Sequence, residues 1–130
     1  MFKAHPIAGV GLGGYWAGIT EYHDASGSLT PQEAHNDYLE LLSSGGIIGA
    51  CLGGWFLVTL TRRISTSLRS TNRVRRGARF GAAIGILGVL VHSLFDFGLH
   101  MFVNALVFAA LIVIATRSSQ EEQKLRRTNA

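Results

Sequence analysis

The chain has 130 residues, 48% of them hydrophobic and only 15% charged, with 16 glycines, one cysteine and a net charge of +4. Soluble domains carry about 25% charged residues, so this shortage argues against an ordinary cytosolic domain. The apolar content excludes a disordered chain, and the lone Cys51 excludes a disulfide-stapled one.

The first residues, MFKAHPIAGVG, lack the apolar segment of a secretory signal. Gly9, Gly11 and Gly14 satisfy G-x-G-x-x-G, but a dinucleotide site needs a strand before that motif, and too few residues precede it here. The stretch reads as a flexible, close-packing loop leaving the membrane edge, with Tyr15 and Trp16 as interfacial aromatics. Residues 24–28 are small and polar and read as loop. Thr30, Pro31 and Glu33 then supply an N-cap, a first-turn proline and a capping box, which predict a short amphipathic helix over 31–43, ended or bent by Gly45 and Gly46. In that register Ala34, His35, Tyr38 and Leu42 share one stripe, and Asp37 and Glu40 turn away from it.

Three apolar runs follow, over 46–61, 80–95 and 101–116. A helix needs about 20 residues to cross a hydrocarbon core of about 30 Å, and each run reaches that length with its flanks. The expected fold is therefore an all-α membrane protein, with transmembrane helices at 45–61, 80–97 and 98–116 behind an outer segment 1–44. Charge orients them. Residues 1–40 carry a net −4, the loop 62–79 holds seven arginines and no acid, and the tail 117–130 is net +2. Basic loops stay inside, so the arginine loop and the tail are expected in the cytoplasm and the N-terminal segment outside. An arginine run between two spans reads as a topology determinant, and no nucleic-acid partner is expected. Carrying residues 1–40 outward calls for preceding spans, so Met1 is not expected to be the natural start. A complete small protein with a translocated N-terminus is the alternative.

The second run places Gly77, Gly81, Gly85, Gly88, His92 and Asp96 along one face, and Gly45, Gly49 and Gly53 repeat the pattern in the first; both predict helix contacts. His92 with Asp96, and His100 with Asn104, are i,i+4 pairs expected to cluster at the outer membrane edge near His35. No zinc-helix spacing occurs, so no metal and no cofactor is expected.

His35-Asn36, nine residues, then Gly46-Ile47-Ile48-Gly49 resembles the H-N-x9-G-x-x-G signature of the O-antigen ligase and polymerase family. The segment HPIAGVGLGGY is similar to that family's glycine-rich entry to its periplasmic loop. His92 to Asp96 and Phe97, with His100 and Asn104, is similar to its later H-x-x-x-D-F segment. The resemblance implies an integral protein of the bacterial inner membrane that transfers a polyprenyl-diphosphate-linked glycan to a hydroxyl of a glycan, lipid A core or protein acceptor on the periplasmic face, in lipopolysaccharide or exopolysaccharide biosynthesis. It implies His35 as the catalytic proton acceptor, Asn36 orienting the site or capping the turn, Gly46 and Gly49 as motif glycines, and His92, Asp96, His100 and Asn104 as a substrate-binding or structural cluster. Family members are far longer and hold diphosphate-binding arginines upstream. Here no arginine precedes Arg62 and Lys3 is the only outward cation, so the chain is expected to be inactive without missing upstream transmembrane helices. The alternative is a small non-enzymatic membrane subunit that binds partner helices through its glycine faces.

Overall fold

The computed structural model describes residues 1–22, 35–70, 72–96 and 98–117, which are helical with no strand among them. In order come α1 (Tyr15–Ile19), α2 (Asp37–Ser67), α3 (Arg73–His92), a 3-10 turn (Gly98–His100) and α4 (Phe102–Thr116). The all-α expectation holds. Of the three expected spans, α2 is the one helix among the described residues that is long and apolar enough to cross a membrane. The reasons are physical: α3 begins with Arg73, Arg75, Arg76 and Arg79 inside the helix. The described residues between His92 and Phe102 form turns, which leaves α4 with 15 residues, about 22 Å of helix.

The start of α2 differs from the predicted helix over 31–43. Residues 31–34 lie outside the described residues, but His35 is a bend and Asn36 is extended, with φ −166°. The Asn36 carboxamide oxygen accepts from the Tyr38 and Leu39 amides, both at 3.0 Å, so Asn36 is the N-cap and the helix begins at Asp37.

Within α2, Gly46 breaks the helix with φ 59° and ψ −156°. A Cβ on Gly53 would stand 3.0 Å from the Leu41 side chain, although twelve residues of straight helix would separate the two by about 18 Å. The residues before Gly46 therefore turn back along those after it. Gly49 meets Leu41 too, so these two small residues receive the chain's own returning turn, while Gly45, on the returning limb itself, lies against Leu12 and its helical neighbour Leu41. The expectation that they form a face for a separate helix is corrected.

Such a break orphans backbone groups, and the glycine-rich N-terminus satisfies them. Val10 and Gly11 amides donate to the Ser43 and Ser44 carbonyls at 3.1 and 2.9 Å, while the Ile47 and Ile48 amides donate to Pro6 and Ile7 at 2.9 and 3.2 Å. Residues 6–11 are thus bonded into the break, which agrees with the close-packing expected of the glycines and leaves this part of the loop held at both ends.

The core joins Leu60 of α2, Ala82 and Ile86 of α3 and Ala115 of α4. The buried stripe of α3 runs Arg79, Ala82, Ile86, one step round the helix from the predicted glycine face. Only Gly85 of that face meets another helix among the described residues, with Leu111 at 3.1 Å; Gly77, Gly81 and Gly88 have nothing within 4 Å. Ala82 and Ile86 supply side-chain volume to fill the α3–α4 contact, which a run of glycines would leave empty. At the arginine end, Arg79 donates to the Ser67 carbonyl at 2.9 Å and the Ser67 hydroxyl to that of Ala115, which ties the three helices together. Outward faces stay apolar: Ile47, Leu52 and Trp55 on α2 and Val103, Leu106 and Val107 on α4 are exposed, as suits lipid contact.

Candidate functional site

The site forms where α2 begins against the end of α3. The last carbonyls of a helix lack intrahelical partners, and the start of α2 takes three acceptors there. The Asn36 side-chain amide donates to Leu94 O at 2.8 Å, the Asp37 amide to Ser93 O at 3.0 Å and the Tyr38 hydroxyl to Leu90 O at 2.8 Å. Asn36 uses both ends of its carboxamide, one to cap α2 and one to hold α3.

His100 closes the junction from the 3-10 turn. Its Nδ1 lies 3.0 Å from Asp37 Oδ1 and its Nε2 lies 3.0 Å from Glu40 Oε1. A carboxylate only accepts, so a ring facing two carboxylates donates from both nitrogens, which fits an imidazolium. The Asp37 and Glu40 side chains are 10% and 8% exposed against 41% for His100, so the acids are the buried partners. The Leu99 amide adds a long bond to Asp37 Oδ2 at 3.4 Å. This corrects the expectation that Asp37 and Glu40 turn away. Three residues apart in the first turn, they share one face beside the positive end of the helix, and the His100 ring compensates their burial. Tyr15 of α1 lies near enough for burial, and then the Glu40 carboxylate, to raise its phenol above the usual 10; it stays neutral at physiological pH.

The expected cluster of His92, Asp96, His100 and Asn104 is divided. His92 and Asp96 stand 3.7 Å apart with 60% and 45% of their side chains exposed, a geometry worth little in water. Asn104 donates to Gly98 O at 3.0 Å, and a Cβ on Gly98 would lie 3.1 Å from the His92 ring. His100 faces α2. His35 is exposed at the bend two residues before Asp37, Gly46 is buried at the break, and Gly49 packs on Leu41. Among the described residues no group of three or more His, Cys, Asp or Glu is arranged to hold a metal ion.

Residues 1–53 match the family model described as O-antigen ligase. Over those residues the chain is similar to the O-antigen ligase family. Neither the curated proteins nor the solved structures gave a match. The O-antigen ligase match contains the glycine-rich start, His35, Asn36 and the break at Gly46, and thus both strands of backbone that the break bonds together. α3, the 3-10 turn and α4 follow it in the chain. Together with the apolar α2, the similarity points to a membrane protein.

Under the junction a cleft of about 630 Å³ opens between the two limbs of α2 and the helices α3 and α4. Asp37, Glu40, His100, Ser44 and Ser93 stand on its wall, and Gly53, Gly54, Phe56, Leu57, Leu90 and Phe108 continue it as an apolar trough. Sequence reading missed Asp37 and Glu40. The available signal was the pair itself: two acids at helical spacing directly after an Asn.

Proposed function

We propose that the chain is the C-terminal part of an integral-membrane glycan ligase or polymerase, which transfers a polyprenyl-diphosphate-linked glycan to an acceptor hydroxyl at the periplasmic face of the bacterial inner membrane. The observation that carries this reading is the O-antigen ligase match over residues 1–53, which ends just beyond the break at Gly46 and includes His35. In the reaction the acceptor oxygen attacks the anomeric carbon, the bond to the diphosphate oxygen breaks with its electron pair, and the acceptor proton passes to the His35 imidazole. A neutral imidazole is a competent base near neutral pH. Asn36 holds the bend that carries His35 through its cap and its bond to Leu94. The departing diphosphate needs cations, and no arginine precedes Arg62. Upstream transmembrane helices supply them in this reading, and the chain alone is inactive. The donor is the polyprenyl-linked glycan; the acceptor is a glycan, lipid A core or protein.

The topology belongs to the same reading: the segment before α2 outside, Arg62 to Arg79 and the tail inside. In a Cys51→Ala background, Ser26→Cys is expected to react with an impermeant thiol reagent in intact cells and Ser70→Cys is not; the reverse pattern inverts the topology. The function is tested by joining or co-expressing the chain with the polypeptide encoded upstream and following the gel shift of the glycosylated acceptor. Transfer by the assembly and none by the chain alone is the expected result. Stable assembly without transfer in that assay would favour the non-enzymatic subunit.

A further inference from the structure

The two ends of the bundle differ in charge. The described acids, Glu21, Asp37, Glu40 and Asp96, come before or within the first turn of α2 or after α3. Arg62, Arg63, Arg69, Arg73 and Arg76 lie at the opposite end, where α2 gives way to α3, and none of the five pairs with an acid among the described residues. The carbonyl ends of α2 and α4 put about half a negative charge each at this level and the amino end of α3 returns half, so the arginines dominate and the end is strongly basic.

A groove of about 490 Å³ runs between α2 and α4 into this basic end, within the usual range for a small-ligand site. Phe56, Leu60, Ile112 and Val113 make its apolar part, Thr59 and Arg63 its polar part on α2, and no acid lines it. Arg117 lines it too but is already engaged with another group, so Arg63 supplies the charge. Phe56, Thr59, Leu60 and Arg63 follow three- and four-residue steps, so they share one face of α2 and climb it by about 10 Å. A guanidinium can hold a phosphate with two parallel hydrogen bonds, and a threonine hydroxyl one turn away can donate a third. A phosphate at Arg63 leaves the stretch toward Phe56 for a hydrocarbon chain, which is the order of parts in a phospholipid lying along a membrane helix. The neighbouring arginines would repel the ammonium of a zwitterionic head and attract an anionic one. We propose that this groove holds one anionic phospholipid, with its phosphate on Arg63 and Thr59 and one acyl chain against Phe56, Leu60 and Ile112. The site rests on α2 lying in a membrane and is independent of the transfer reaction.

The full chain in phosphatidylcholine nanodiscs tests this with two probes that share one photoactivatable acyl chain, one on phosphatidylglycerol and one on phosphatidylcholine. The phosphatidylglycerol probe is expected to label the peptides holding residues 56–60 and 112–116 about fivefold more than the other, the size that one arginine at an anionic lipid implies. Unlabelled phosphatidylglycerol should compete and soluble glycerol phosphate should not. Arg63→Gln should erase the preference, whereas Arg62→Gln, which removes the same charge outside the groove, should retain most of it. Val113 is 61% exposed, so Val113→Trp should fill the groove from its open side, lower labelling by both probes and leave the helical circular dichroism unchanged. Equal labelling by the two probes, or undiminished labelling of Val113→Trp, would overturn the proposal. Equal losses in Arg62→Gln and Arg63→Gln would mean a diffuse surface charge, and competition by glycerol phosphate a site for a free anion; either result also overturns it.

Discussion

Gly46→Ala is expected to undo the bonding between the N-terminal segment and α2, at a cost of roughly 3–5 kcal/mol. Two causes add. The backbone at φ 59° and ψ −156° lies in a region that is nearly exclusive to glycine, worth about 1–3 kcal/mol of strain. A Cβ there would also strike the Ile7 carbonyl and come within 2.6 Å of Gly9 N, and overpacking against backbone costs about 1–3 kcal/mol more. Relieving the clash would break the bonds from Ile47 and Ile48 to Pro6 and Ile7. Gly9→Ala meets the same junction from the other side: φ is 66° and its Cβ would overlap the Ser43 and Ser44 carbonyls. Gly11 also has positive φ, 102°, but faces open space, so Gly11→Ala should show strain alone, about 1–2 kcal/mol. Thermal unfolding in detergent and proteolysis of residues 1–22 measure the series. Gly46 and Gly9 should be comparable, Gly11 milder, and the double variant Gly9→Ala with Gly46→Ala non-additive because both break one contact. Equal losses at Gly11 and Gly46 would refute the close approach.

Much of this junction is readable one element at a time. The Gly45-Gly46 pair marks the break in α2, and the glycines at 9, 11 and 13 mark a chain free to adopt positive φ. That the two meet is hidden, because their bonds run from backbone to backbone and leave no side-chain pattern. The face carrying Asp37 and Glu40 was lost for another reason. Asp37 and Glu40 share a face wherever the helix starts, but spacing does not say which face is buried, and Thr30-Pro31 offers an earlier start than Asn36, which caps the described helix. With the start at Asp37, the two acids fall in the first turn, where the helix dipole favours negative charge, and burying both calls for a cation beside them. Nothing in the local spacing identifies His100 as that cation, since it is brought in by the turn between α3 and α4. The glycine stripe of α3 shows a similar limit. Small residues permit close approach, but Ala82 and Ile86 also lie on a continuous stripe, and only tertiary packing chooses between the two. Run lengths alone do not settle the number of spans: arginines lie inside the first turns of α3 and α4 has 15 residues, so among the described residues only α2 has the length and composition of a span.

His35→Ala is expected to reduce glycan transfer by about 10² to 10⁴, the usual contribution of a positioned proton acceptor, in the assembly with upstream spans restored. Protein levels in the membrane should stay near normal, since His35 is exposed at a bend. The adjacent Asn36 makes the comparison informative. Asn36→Ala removes the cap of α2 and the bond to Leu94, so it should lower stability by about 1–2 kcal/mol and lower transfer by moving His35. His35→Ala should lower transfer without a matching loss of stability. His23→Ala, outside the motif, is the control and should retain transfer. Asp96→Asn removes a charge that stands 3.7 Å from His92 with both side chains largely exposed, and should cost far less than His35→Ala. Full transfer by His35→Ala would sink the catalytic assignment. The H-N-x9-G-x-x-G pattern would then be explained by structure alone: Asn36 would cap the returning limb of α2, Gly46 would admit the N-terminal segment, and Gly49 would receive Leu41.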